Sequence, residues 1–196
     1  MARPREFDVD DALDKAMQVF WNKGYEGTGL TDLLQAMGIA RGSLYKAFGD
    51  KRALFLATLS YYDRVCISPA VALLSDETIS EGATRIARQL ETIVLVVENE
   101  NDRRGCFLCN TAVDQAPHDS EIQKQCQRMM NRMQEGFLIA LQASEKVRHL
   151  SEQELKNRSS VLNIAYNGLR VMVKAGYPVK DIRMAINVVL DENHLL

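Results

Sequence analysis

Apolar positions recur three and four residues apart along nearly the whole chain, the spacing of one face of an α-helix. Val9, Leu13, Ala16, Met17 and Phe20 follow Asp8, which can cap a helix whose first turn holds Asp10 and Asp11. Gly24 suits the left-handed stop of that helix. A shorter helix is predicted over about 29–37, burying Leu30, Leu33, Leu34 and Met37. Gly38 breaks it, Ile39 turns inward, and another short helix covers about 40–48. Gly49-Asp50 then opens a long helix over 51–74, with Leu54, Phe55, Leu59 and Tyr62 inside. Further helices are predicted at about 80–98, 106–115, 119–143, 151–175 and 179–191. Ser151 and Glu154 fit a capping box, Gly176 stops one helix and Pro178 starts the next. The expected fold is all-α, about nine helices, without internal repeats. A three-helix domain over 1–52 is joined through helix 51–74 to a larger helical domain, 53–196.

Composition narrows the function classes. Hydrophobic residues make up 46% and charged residues 26%, the balance of a globular protein. No apolar run is longer than that from Ile93 to Val97, far short of the roughly 20 residues of a membrane helix. The first residues lack an apolar signal region, so a cytoplasmic location with four reduced cysteines is expected. A net charge of −2 argues against coating nucleic acid by bulk electrostatics. Residues 41–52, however, hold Arg41, Lys46, Lys51 and Arg52 against Asp50 alone. No phosphate loop, catalytic carboxylate pair or Ser/His/Asp frame is visible, so no enzyme, cofactor or metal is expected.

Two short helices joined by a glycine turn match helix-turn-helix logic. Leu44, Ala47 and Phe48 supply an inner face for the second; Arg41, Gly42, Ser43, Tyr45 and Lys46 supply an outer one. Gly42 costs about 1 kcal/mol against Ala inside a helix, a cost justified where backbone must approach DNA closely. The run Gly24-Tyr25-Glu26-Gly27-Thr28, then Leu30-Thr31-Asp32-Leu33, then Met37 through Lys51 resembles the TetR-family DNA-binding domain over residues 8–55. The resemblance implies a homodimer bound to near-palindromic double-stranded operator DNA, with a C-terminal domain whose small-molecule effector releases it. Carried over by position, Thr28, Tyr45 and Lys51 match phosphate contacts, while Arg41, Gly42, Ser43 and Lys46 match positions near base edges. Two residues depart from the family pattern: Ala40, where Ser or Thr would cap the helix, and Lys46, often His, so the operator does not transfer. Tyr45 as a packed aromatic, and Lys51 with Arg52 as a solvated face, are the plainer readings. Arg3 and Arg5 are either a minor-groove arm or a frayed terminus.

The last two helices, at about 151–175 and 179–191, carry enough apolar residues for a four-helix dimer interface or for packing within one chain. Met129, Met130 and Met133 suit an adaptable pocket or plain core. Cys106 and Cys109 form a C-x-x-C after Arg103-Arg104-Gly105, where a helix start and cations favour thiolate. Cys106 is the candidate sensor thiol, with Cys109 or Cys126 as resolving partner. The segment Gly105 to Ala112 also resembles one in TetR regulators that include reactive-electrophile sensors. Inert buried cysteines, a metal site with His118, and a redox-active or electrophile-handling enzyme using Cys106 and Cys109 are the alternatives.

Overall fold

The computed structural model describes residues 7–195; Arg3 and Arg5 lie outside them. The described residues form ten α-helices and one π-helical turn, with no strand among them. The chain divides into two compact units.

The first unit comprises the described residues up to Val65 together with Asn110–Cys126. It holds α1 (Val9–Lys23), α2 (Leu30–Met37), α3 (Arg41–Phe48) and α4 (Lys51–Tyr62). The Asp8 carboxylate accepts the amides of Asp10 and Asp11, as the sequence pattern requires, and Gly24 at φ 73° ends α1. α1 packs on α2 and α4 through an aromatic cluster. Phe20 meets Phe55 edge-on with centroids 4.9 Å apart, Tyr25 meets Phe55 at the same distance, and Trp21 meets Tyr62 at 5.5 Å. Leu33, Leu44, Leu54 and Leu59 are fully buried around them.

The predicted helix over 51–74 is interrupted. α4 ends at Tyr62, a π-helical turn spans Asp63–Ile67, and α5 covers Ser68–Leu74. Pro69 explains the break: it has no amide to offer the carbonyl four residues back, and its ring crowds that carbonyl. The wider turn absorbs both problems. The division between the units falls inside this turn, after Val65.

The second unit comprises Cys66–Cys109 and the described residues from Gln127 onward. It contains α5, α6 (Gly82–Glu100), α9 (Glu152–Lys174) and α10 (Val179–Glu192), and most of α8 (Ser120–Gln142). α7 (Phe107–Asp114) contributes its first turn. α10 packs on α6 and α9, over a core that includes Ile86, Leu90, Phe137, Leu141 and Leu162. Gly82 lets α6 meet α8 closely; a Cβ there would stand 1.8 Å from the Ala140 carbonyl oxygen. Ser151 and Glu154 form the expected capping box, each accepting the other's amide.

The apolar residues of the last two helices are divided between faces. Leu162, Leu169 and Val173 of α9 and Ile182, Ile186 and Leu190 of α10 are buried within the chain. Val161, Ile164 and Val171, with Met184 and Val188, stand exposed, Ile164 at 72%. Met129 and Met133 are buried among core residues. A cavity of about 20 Å³, the size of one water, lies among Thr92, Ile93, Val96, Asp102, Gly105, Arg170 and Val173.

Candidate nucleic-acid interface

The turn between α2 and α3 is set by backbone geometry. Gly38 adopts φ 66°, a left-handed conformation that side chains resist, and its amide closes α2 on the Leu34 carbonyl. α3 starts at Arg41 behind Ala40, whose side chain offers no cap. Leu44 is fully buried and anchors α3 to the unit. That anchoring fixes which residues face outward. Arg41, Gly42, Tyr45 and Lys46 are exposed, and Ser43 is half-buried. The Arg41 guanidinium lies over the Tyr45 ring, 5.6 Å from its centroid. A Cβ at Gly42 would meet nothing within 4 Å. Neither the interior nor a left-handed φ demands glycine at this position.

Thr28, expected at a phosphate, is buried in the turn after α1. It is 1% exposed, and its hydroxyl donates to the Gly24 carbonyl at 2.6 Å. The cause is local: the turn after α1 brings the side chain back over that carbonyl, so Thr28 pins the turn. Lys51, the first residue of α4, is half-buried, with its ammonium 4.4 Å from the Tyr25 ring centroid. Asp50 caps α4 by accepting the Ala53 amide at 2.7 Å. The cations of residues 41–52 besides Arg52 are Arg41, Lys46 and Lys51. Arg52, which the sequence groups with them, turns to Asp119 and Glu121. No spacing within the first 52 residues announces those partners.

Among the described residues the cysteines form no disulfide, and no group of residues suited to a metal ion is found. Cys106, Cys109 and Cys126 are each buried, and Cys126 belongs to the first unit whereas the other two belong to the second. The Cys106 sulfur caps α7, accepting the Cys109 amide at 3.5 Å. The Cys109 thiol donates to Asn167 Oδ1 at 3.1 Å, and Asn167 is itself tied to Asn163. Gly105 takes φ 75° and packs so closely on α9 that a Cβ would stand 2.9 Å from the Arg170 carbonyl oxygen. The two arginines expected to favour thiolate each have an oxygen partner. Arg104 pairs with Asp102 at 2.6 Å, and Arg103 donates to the Tyr177 carbonyl. The Arg104 hydrogen bond holds the Asp102 carboxyl below the usual range against the opposing effect of burial.

Comparison with known proteins places this architecture. Residues 12–58 match the profile described as bacterial regulatory proteins, tetR family. The HTH-type transcriptional repressor ComR of Escherichia coli is 32% identical over 178 residues, which cover 89% of this chain and 83% of ComR. The chain belongs to the TetR family. Another relative, the uncharacterized HTH-type transcriptional regulator YezE of Bacillus subtilis, is 33% identical over 143 residues, 72% of either chain. Among solved structures, a cysteine-substituted form of the TetR-family regulator CifR, complexed with a 26 bp double-strand operator, superposes with a TM-score of 0.82. It is 26% identical, over 96% of this chain and 98% of that one. Within the TetR family, then, α2 and α3 of this chain are its helix-turn-helix. No helix among the described residues is long and apolar enough to cross a membrane.

Proposed function

We propose that this TetR-family protein is a cytoplasmic repressor that binds a near-palindromic operator as a homodimer, one α3 in each of two major grooves. The observation that carries this reading is the outer face of α3: Arg41, Gly42, Tyr45 and Lys46 exposed around a fully buried Leu44. Arg41 reads a base edge, with Gly42 and Ser43 allowing close backbone approach. Tyr45 and Lys51 hold phosphates, and Lys46 faces the groove. Thr28 supports the reading head from inside. The exposed stripe Val161, Ile164 and Val171, with Met184 and Val188, is the surface that a second copy covers. The likeness to ComR and to operator-bound CifR supports both the repressor role and the operator partner.

Release follows from a small-molecule effector or from chemistry at Cys106, with Cys109 and Cys126 as further candidate thiols. Either shifts the dimer towards a state whose two heads no longer match the half-site spacing. Because Cys106 is 3% exposed, a thiol reagent reaches it only when the Gly105–Phe107 segment opens. No catalytic role is assigned to the cysteines; the redox-enzyme alternative gains nothing from a Cys109 thiol already bonded to Asn167.

The test is selection of bound duplexes from a random pool, followed by anisotropy titration at several salt concentrations. The expected result is an enriched inverted repeat, bound by a dimer with steep salt dependence. A folded dimer that enriches no sequence, alone or with a broad effector panel, overturns the reading.

A further inference from the structure

The first turn of α4 is tied to the first turn of α8 by a fork of charge. Arg52 donates from Nε to Asp119 Oδ2 at 2.6 Å and from Nη2 to Asp119 Oδ1 at 3.0 Å. The same Nη2 reaches Glu121 Oε2 at 2.9 Å. Asp119 is the better fixed of the acidic pair. Its side chain is 19% exposed, against 58% for Glu121. Its Oδ1 also accepts the amides of Glu121 and Ile122, capping α8. The clasp lies wholly inside the first compact unit, to which residues 110–126 belong with the helix-turn-helix.

Its position bears on DNA contact. Arg52 follows Lys51 directly, and only Gly49 and Asp50 separate Lys51 from the end of α3. Lys51 lies over the Tyr25 ring, so its ammonium is already directed by the frame of this turn. Residues 41–52 carry four cations against Asp50, a local +3; adding Asp119 and Glu121 leaves +1. A phosphate reaching Arg52 would have to displace two carboxylates already in good geometry. Arg52 is therefore occupied in holding the turn, and the neighbouring Lys51 is left to meet the backbone of the duplex.

We propose that Asp119 is a positioning residue for operator binding: by clasping Arg52 it fixes the first turn of α4, and with it Lys51, in the orientation that meets phosphate. This rests on the regulator reading above. It extends the DNA-reading head to a residue 67 positions beyond the cation it holds.

Asp119→Asn is the informative variant, because asparagine still caps a helix while the ion pair is lost. Bare electrostatics predicts tighter DNA binding when a carboxylate near the interface is removed. The clasp predicts the opposite. With full-length protein whose helicity and melting temperature are verified, Asp119→Asn should weaken operator binding by about fivefold, the upper range for a well-formed surface pair. Arg52→Gln should weaken it by a similar factor. The double variant should be no weaker than either single one, as residues sharing one interaction require. Lys51→Gln should also cost less in the Asp119→Asn background than in the unmodified protein. Unchanged or tighter binding by Asp119→Asn overturns the proposal. So does an additive double variant in which Arg52→Gln lowers the salt slope by about one, the mark of a phosphate contact. An unmodified protein that selects no operator sinks the regulator reading itself; an operator bound equally by both proteins sinks only the clasp.

Discussion

Arg41 lies across Tyr45 on the outer face of α3, its Nη2 3.5 Å from the phenolic oxygen and its guanidinium 5.6 Å from the ring centroid. The two are one helical turn apart, and both are exposed. The pairing holds the guanidinium near the helix while the protein is free, which lowers the ordering cost of presenting it to a base. Arg41→Ala should cost about 1–3 kcal/mol on the selected operator and less on scrambled duplex. Equal losses on both, measured by anisotropy, would remove Arg41 from base readout.

Lys51 is expected to act through charge alone. Lys51→Gln should weaken binding to all duplexes alike and reduce the slope of log affinity against log salt by about one. Titrations at several salt concentrations read both quantities. A sequence-dependent loss with the slope intact would assign Lys51 to the bases.

Ile164 stands 72% exposed in the middle of α9, between Val161 and Val171. Ile164→Asp should leave the helical content unchanged and convert the dimer to monomer, since a buried unpaired carboxylate at the centre of an apolar interface is prohibitive. Light scattering after size exclusion gives the mass. A variant that remains dimeric places the interface elsewhere.

Gly82 has no room for a side chain, because the Ala140 carbonyl occupies the position of its Cβ. Gly82→Ala should therefore lower stability by about 1–3 kcal/mol, although alanine is the better helix former. Chemical denaturation with an unchanged m-value would show it. A stabilised variant would mean that α6 and α8 separate at little cost.

Asp119 carries a pH signature. The Arg52 hydrogen bond, helped by the Ile122 and Glu121 amides, lowers its carboxyl from the ordinary 3.8 to about 2. A carboxyl depressed in the fold contributes stability above its ordinary value, and that contribution is lost as pH falls towards 2. In Arg52→Gln the titration should move back towards 3.8, as read from the side-chain carboxyl shift by NMR. No movement would mean that the α8 cap, and not Arg52, sets the acidity.

The helices were legible because their signals are local. Asp8 before Val9, the Ser151/Glu154 box and the glycines at 24, 38 and 176 sit within a few residues of the ends they mark. α3 was readable for the same reason, since a buried Leu44 determines which neighbours point outward. Thr28 was placed by family pattern, and its burial depends on how the chain turns back over Gly24. In the rod over 51–74 the apolar spacing dominated, while Pro69 acts through the single amide it lacks.

Taken alone, the sequence determined the all-α class, the helix-turn-helix and the cation-rich face of α3, because each depends on residues at most a few turns apart. Tertiary structure decided what depends on distant pairs. It divided the apolar residues of α9 between the core and an exposed stripe, and it buried Cys106, Cys109 and Cys126. It paired Arg104 with Asp102. It also brought Asp119 to Arg52 across 67 residues of chain. Helical periodicity specifies a face; which partner covers that face is set only when the helices pack.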